Sequence, residues 1–186
     1  MTADSRPRLR AVCLAGPSDS GKTTLVEELV PRLAEDDRVA TVKSIHHDIE
    51  IDTPGADTHR HRTTGAETVV GITPELTFDI TTRGKRDPPD ELGSDPFGLG
   101  SGTDREPSEI REMRALASTL ERLERRGYDI VLVEGFSASP LPTILVGDRS
   151  PADVGGPVIG RHDDGLETLA EAIRSVDPLE FERPAD

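Results

Sequence analysis

Residues 16–23 read Gly16-Pro17-Ser18-Asp19-Ser20-Gly21-Lys22-Thr23, which satisfies the pattern G-x-x-x-x-G-K-[ST]. Glycines let such a loop curl until successive backbone N–H groups face inward as an anion nest, and a helix beginning just after it adds its positive end. A chain of phosphates is the fitting guest. Lys22 would neutralise the β and γ phosphates as a mobile point charge, and the Thr23 hydroxyl would ligate a Mg²⁺ bridging them. Gly16, Ser18, Asp19, Ser20, Gly21 and Thr24 complete the expected phosphate cradle. A loop of this kind also needs a strand-end carboxylate for the metal's water shell. Val131-Leu132-Val133-Glu134-Gly135 supplies Glu134, with Gly135 free to bring a backbone N–H to the γ phosphate. Lys22 and Glu134 are thus the candidate catalytic residues, and Thr23 and Glu134 the candidate metal residues. The bland alternatives are a glycine-rich turn with an incidental lysine and a solvated carboxylate at a strand end.

A second dense stretch runs over residues 43–62 and holds four of the five histidines: His46, His47, His59 and His61. Lys43, Arg60 and Arg62 gather positive charge there in an otherwise acidic chain. The residue types leave several readings open: a second anion site, a switch loop that contacts the nucleotide, a Zn²⁺ or Ni²⁺ site built from imidazole and carboxylate, or a polar loop. Asp148 offers a carboxylate that could accept from guanine N1–H and the exocyclic amine. The sole cysteine, Cys13, has no partner for a disulfide and reads as a small buried hydrophobe.

The elements that must position these groups follow from periodicity. Residues 9–15 form a continuous apolar strand, and Leu25, Leu29 and Leu33 recur at helical spacing over 21–34, with Pro31 expected to kink or stop that helix. Further strands are expected over 38–43, 68–72, 129–133 and 143–146. Leu76, Phe78 and Ile80 alternate with polar residues, which suits a half-exposed edge hairpin. Ile110, Met113, Leu116, Leu120 and Leu123 mark a helix over 108–126 that stops at Gly127. Asp164 and Glu167 give a capping-box pattern at the start of a last helix over 166–176. Strand and helix alternate, so the expected fold is α/β: a three-layer P-loop NTPase domain with a mainly parallel sheet and an edge β-hairpin. Residues 1–186 read as one domain. Residues 83–107, rich in Gly, Pro, Asp and Ser, read as a flexible surface insertion.

Composition excludes several functions. The chain carries 22 basic against 36 acidic side chains, a net charge of −14, which repels nucleic-acid backbones. Any anion it binds must be captured locally. Only three lysines occur, and there is neither asparagine nor glutamine. Such a surface suits solubility at high intracellular salt. No apolar run reaches the roughly 20 residues a bilayer requires, and residues 1–10 are polar, so a cytosolic protein with no membrane association is expected. A chain without asparagine cannot carry an Asn-Lys-x-Asp guanine motif. One without glutamine cannot orient water with an amide, so slow hydrolysis is expected.

Three stretches together resemble the molybdopterin-guanine dinucleotide biosynthesis protein B (MobB) family. They are the loop GPSDSGKTTL, the stretch TVKSIHHDIEIDTPGADTHRHRTTGA over 41–66, and LVEGF over 132–136. The resemblance covers about 10–80 and 129–146. It implies a GTP-binding P-loop protein with Mg²⁺, usually a homodimer and a slow GTPase. Such a protein assists the guanylyltransferase MobA in joining GMP to molybdopterin. Asp52, Pro54, Gly55, Asp57, Arg60, His61 and Arg62 match the family's pattern, which implies that Lys43, Asp52, Arg60 and Arg62 help to hold the nucleotide or a pterin phosphate beside it. The chain departs at Ser44, where the family usually has histidine, at Ala56, where lysine is common, and at Ser137, where a basic residue often follows. The rival functions are a small-molecule kinase that transfers the γ phosphate, and a nickel- or zinc-delivery GTPase.

Overall fold

The computed structural model describes residues 9–89, 95–99 and 105–181. The expected polar N-terminus and part of the 83–107 insertion (residues 90–94 and 100–104) lie outside the described residues. Five strands form one parallel sheet in the order β2-β5-β1-β6-β7. β1 (Arg10–Ala15) lies between β5 (Ile130–Glu134) and β6 (Thr143–Leu145), with β2 (Val39–Lys43) and β7 (Val158–Arg161) at the edges. Because side chains alternate along a strand, β1 feeds two separate cores. Val12 and Leu14 join Leu25, Leu29 and Leu33 of α1 (Lys22–Leu33) and Leu169 and Ile173 of α4 (Leu166–Arg174). Ala11, Cys13 and Ala15 face Leu116 and Leu120 of α3 (Pro107–Arg125) on the other side. The result is the expected three layers, with β1 and β5 buried on both faces.

The register carries the chemistry to one edge. Leu14 pairs with Glu134, and Lys43 pairs with Glu134 from the other side. The three parallel strands β2, β5 and β1 therefore end level, at the carboxyl edge where ligands bind in open α/β sheets. Helix α1 begins directly after Gly21, whose φ of 93° is a left-handed conformation that glycine adopts without strain. Asp19 shares that region at φ 59°. Pro31 does not end α1 at once, because the helix runs on to Leu33.

Four features differ from the reading of the sequence. Residues 57–63, expected as loop, form a short helix, α2 (Asp57–Thr63), which buries no side chain and so leaves no apolar period to detect. β3 (Thr68–Ile72) and β4 (Thr77–Thr81) do pair antiparallel, but as their own two-stranded sheet rather than at the edge of the central one. β7 is a four-residue half-exposed edge strand with little apolar signal. Asp164 does not cap α4. Its carboxylate accepts from the Arg161 N–H at 2.7 Å in a separate 3-10 turn, His162–Asp164, while Glu167 pairs with Arg32 at 2.9 Å. The described residues of the insertion before α3 form no helix or strand, yet Leu99 is buried and Phe97 packs against the α3 side of the core.

Candidate functional site

The loop between β1 and α1 forms one wall of a cavity of about 740 Å³. Its tight path is enforced by close packing. A Cβ at Gly16 would overlap the Val146 carbonyl oxygen and the Ser20 hydroxyl, and one at Gly147 would sit 3.2 Å from the Ser20 Cβ. The turn after β6 is thus pressed against the loop. Lys22 Nζ donates to the Gly16 carbonyl at 2.9 Å and to that of Pro17, so the ammonium lies over the loop's own backbone. Ser20 Oγ is buried with no hydrogen-bond partner, a donor that a phosphate oxygen would satisfy.

Opposite the loop stands Glu134. Its two carboxylate oxygens lie 3.4 and 3.3 Å from Thr23 Oγ1, and Lys43 Nζ lies 3.0 Å from Oε1 and 3.4 Å from the threonine hydroxyl. Two strands, β5 and β2, and helix α1 deliver these groups to a single point. Thr23 and Glu134 are hard oxygen donors, one at the helix start and one at a strand end, so the pair fits Mg²⁺ held through few protein ligands and several waters. Lys43 supplies the positive charge that balances Glu134 at that point.

The chain then turns sharply. Gly135 and Phe136 have φ values of 91° and 53°, and a Cβ at Gly135 would lie 2.5 Å from that of Ser44. The Cys13 thiol fixes this turn by donating to the Gly135 carbonyl at 3.0 Å. Burial pushes the thiol pKa up to about 12, so Cys13 stays neutral and serves as packing and as a weak donor.

Most of the residues expected from the sequence meet here. Gly16, Ser18, Asp19, Ser20, Gly21, Lys22, Thr23, Thr24, Lys43, Glu134 and Gly135 all line the cavity, with His46 beside them. Asp52, Arg60 and Arg62 are not on its wall. The Arg62 guanidinium donates to both oxygens of Glu50, at 2.6 and 2.7 Å. Asp52 Oδ1 accepts from the Thr53 N–H and the Thr58 hydroxyl, at 2.8 and 3.1 Å. Arg60 pairs with Asp57 at 3.5 Å. Asp52 and Arg62 therefore order the stretch that leads into α2. Glu50 has its pKa lowered by the Asp52 N–H first and by Arg62 second. Asp148 is exposed in the turn after β6 and does not line the cavity.

The histidines do not converge. His59 Nδ1 accepts from the Gly55 N–H at 3.3 Å and its Nε2 faces Glu50 at 3.7 Å. No group of three His, Cys, Asp or Glu side chains arranged to hold a metal ion occurs among the described residues. The metal-delivery alternative thus has no such cluster among the described residues.

Sequence reasoning missed the rest of the lining, made by Ser44, Glu112, Met113, Phe136, Ser137, Ala138 and Arg149. Glu112 and Met113 reach it from α3, a helix whose pattern showed only its packing stripe. Ser44 and Ser137, where the resemblance led to an imidazole and a basic side chain, each accept from a cation placed elsewhere in the chain. Lys85 of the insertion donates to Ser44, and Arg149 donates to Ser137 at 3.3 Å.

Known proteins place this arrangement. Residues 11–92 match the family model described as molybdopterin guanine dinucleotide synthesis protein B. The molybdopterin-guanine dinucleotide biosynthesis adapter protein of Haemophilus influenzae is 31% identical over 134 residues, covering 72% of this chain and 60% of that protein. The protein of the same description from Escherichia coli is 30% identical over 137 residues, covering 73% and 63%. The chain thus spans somewhat under two thirds of those relatives' length. Among solved structures, Bacillus subtilis MobB superposes with a TM-score of 0.55 at 18% identity, over 93% of this chain and 99% of that one. A crystal structure of molybdopterin-guanine biosynthesis protein B gives 0.53 at 24%, over 90% and 98%. At those identities the structural likeness speaks for the fold, and the family-model match spans the loop and the 41–66 stretch. The chain belongs to the molybdopterin guanine dinucleotide synthesis protein B family.

Proposed function

We propose that this chain is a GTP-binding adapter in the assembly of molybdopterin guanine dinucleotide, holding GTP with Mg²⁺ and assisting the guanylyltransferase MobA. One observation carries the nucleotide part: the Thr23 hydroxyl faces the Glu134 carboxylate at 3.3 Å beside a left-handed glycine loop with a lysine over it. Bound Mg²⁺ would offset charge on the β and γ phosphates. Thr23 and Glu134 would orient it, and Lys22 and Lys43 would bring two cations to the same oxygens. The pathway part is supported by relatives described as adapter proteins of molybdopterin-guanine dinucleotide biosynthesis. Hydrolysis is slow in this reading, since the chain has no glutamine to orient water and resetting the complex needs few turnovers.

Assembly as a homodimer is part of the proposal. The β3–β4 sheet has two strands and exposes Val70, Ile72 and Leu76, an edge and a face that a second copy would cover. Molybdopterin or its phosphate is the proposed small-molecule companion. The proposed setting is a salty cytoplasm: no helix among the described residues is long and apolar enough to cross a membrane, and the charge of −14 suits that solvent.

Competitive binding of GTP and ATP with Mg²⁺ at high salt tests the nucleotide. GTP is expected to bind at least about tenfold more tightly, a difference of about 1.4 kcal/mol. Equal binding or an ATP preference would count against it. A kinase is favoured by one feature alone, the continuation of the cavity past the loop toward α3. Nucleotide consumption that requires an added acceptor would favour that reading.

A further inference from the structure

All three lysines of this acidic chain gather at the cavity. Lys22 lies over the loop and Lys43 pairs with Glu134, both on the cavity wall. The third, Lys85, comes from the insertion just after β4 and touches three lining residues at once. Its Nζ donates to the Ser44 hydroxyl, lies 3.5 Å from Glu112 Oε1 of α3 and stands 5.1 Å from the centroid of the Phe136 ring. The side chain is 23% exposed against 55% for Lys43, so Lys85 is largely taken up by these contacts. They bear on the turn that follows Glu134. Phe136 holds a left-handed φ of 53°, a conformation that costs a residue with a Cβ and persists only where its surroundings impose it. Ser44 is one such constraint. Its N–H donates to the Glu134 carbonyl at 2.8 Å, and its side chain is packed so closely on Gly135 that no Cβ would fit there. Lys85 thus joins Ser44, which packs on Gly135, to Phe136, which follows it.

We propose that Lys85 is a positioning residue of the nucleotide site, holding the Gly135–Phe136 turn so that the Gly135 N–H faces the γ phosphate. This rests on the proposed nucleotide reading. An ammonium bonded to a hydroxyl and set over a ring face fixes both side chains without itself lining the cavity. A turn held ready needs no ordering when the nucleotide arrives, and the gain falls on the phosphate that the turn meets. The β phosphate depends instead on the loop, whose path is set by packing against the turn after β6. Loss of Lys85 therefore weakens a nucleoside triphosphate selectively and leaves a diphosphate nearly untouched. A lysine that merely tacked the insertion to the sheet would leave that ratio unchanged.

Titration of the full chain with Mg²⁺ and either GDP or a non-hydrolysable GTP analogue tests this in Lys85→Met, Lys85→Arg and Ser44→Ala. Lys85→Met should weaken the triphosphate analogue at least about fivefold, the scale of a lost hydrogen bond, and GDP by less than about twofold. Lys85→Arg keeps a cation for the hydroxyl and the ring, so it should recover most of the lost preference. Ser44→Ala should lower the same ratio by a smaller factor, and it serves if Lys85→Met does not fold. An unchanged ratio in Lys85→Met and Ser44→Ala, whether both nucleotides weaken or neither does, would overturn the proposal, as would Lys85→Arg behaving like Lys85→Met. Hydrogen exchange of the amides of residues 135–137 in the nucleotide-free chain gives a second readout. It should quicken in Lys85→Met, and an unchanged rate would overturn the positioning role whether or not nucleotide binds. Failure of the GTP analogue to bind the parent chain would instead count against the nucleotide reading, with the exchange result then deciding the hold on the turn by itself.

Discussion

The P-loop half of the molecule and the stretch from residue 45 to 82 are held by different forces. Around the loop, β1 and β5 are buried on both faces, and the loop and Glu134 extend directly from those two strands. The other region buries little: α2 covers nothing, Ile72 is 81% exposed, and order there comes from Glu50, Arg62, Asp52 and Thr58. One further tie runs to α3, where Asp79 of β4 pairs with Arg122 at 3.6 Å and with Arg126. A phosphate cradle needs fixed geometry, which packing gives. A surface that meets a partner can be held by charge, and it yields when charge changes.

The sharpest way to break this contrast is to truncate one apolar residue in each region. Leu132→Ala, at a fully buried position, should cost about 2–5 kcal/mol in chemical denaturation. Ile72→Ser should change stability by less than about 0.5 kcal/mol. A large loss at Ile72 would mean that a second copy already covers the ribbon. Next comes Gly16→Ala, which forces the loop away from Val146. Nucleotide affinity should fall at least about tenfold with little change in melting temperature, by titration and calorimetric scan.

The smallest expected effect concerns pH. The hydrogen bond from Arg126, then the charges of Arg126 and Arg122, lower the Asp79 pKa against the opposing pull of desolvation. A carboxylate with a lowered folded-state pKa adds stability above its unfolded value, about 3.9, and loses it as pH falls through the folded value. Hydrogen exchange of residues 68–81 should therefore quicken, relative to the central sheet, as pH drops below about 4. Asp79→Asn should remove that pH dependence. Exchange in both regions that accelerates together would merge them into one cooperative unit.

How much of this was legible in the sequence follows the same division. The strands and helices of the central layers announced themselves because burial on one or two faces imposes a period, and the glycine loop did so because its backbone path demands Gly16 and Gly21. Glu134 was readable as the first polar residue after an apolar run. α2 was not, since a helix without a buried stripe has no period, and β7 was too short and too exposed. Arg60 and Arg62 were legible as charge but not as to target, because Glu50 and Asp57 compete for them nearby. Arg149 carried no local signal at all. Its place on the cavity depends on the turn after β6 being pressed against the loop, a tertiary fact.

The central claim is that main-chain amides and Lys22 capture a triphosphate despite the repulsion of the whole acidic chain. Titration of Lys22→Ala and the parent chain with a fluorescent GTP analogue and Mg²⁺ tests it most directly. The account predicts that the variant keeps its fold by circular dichroism and loses at least about tenfold in affinity. Undiminished binding by Lys22→Ala would contradict it.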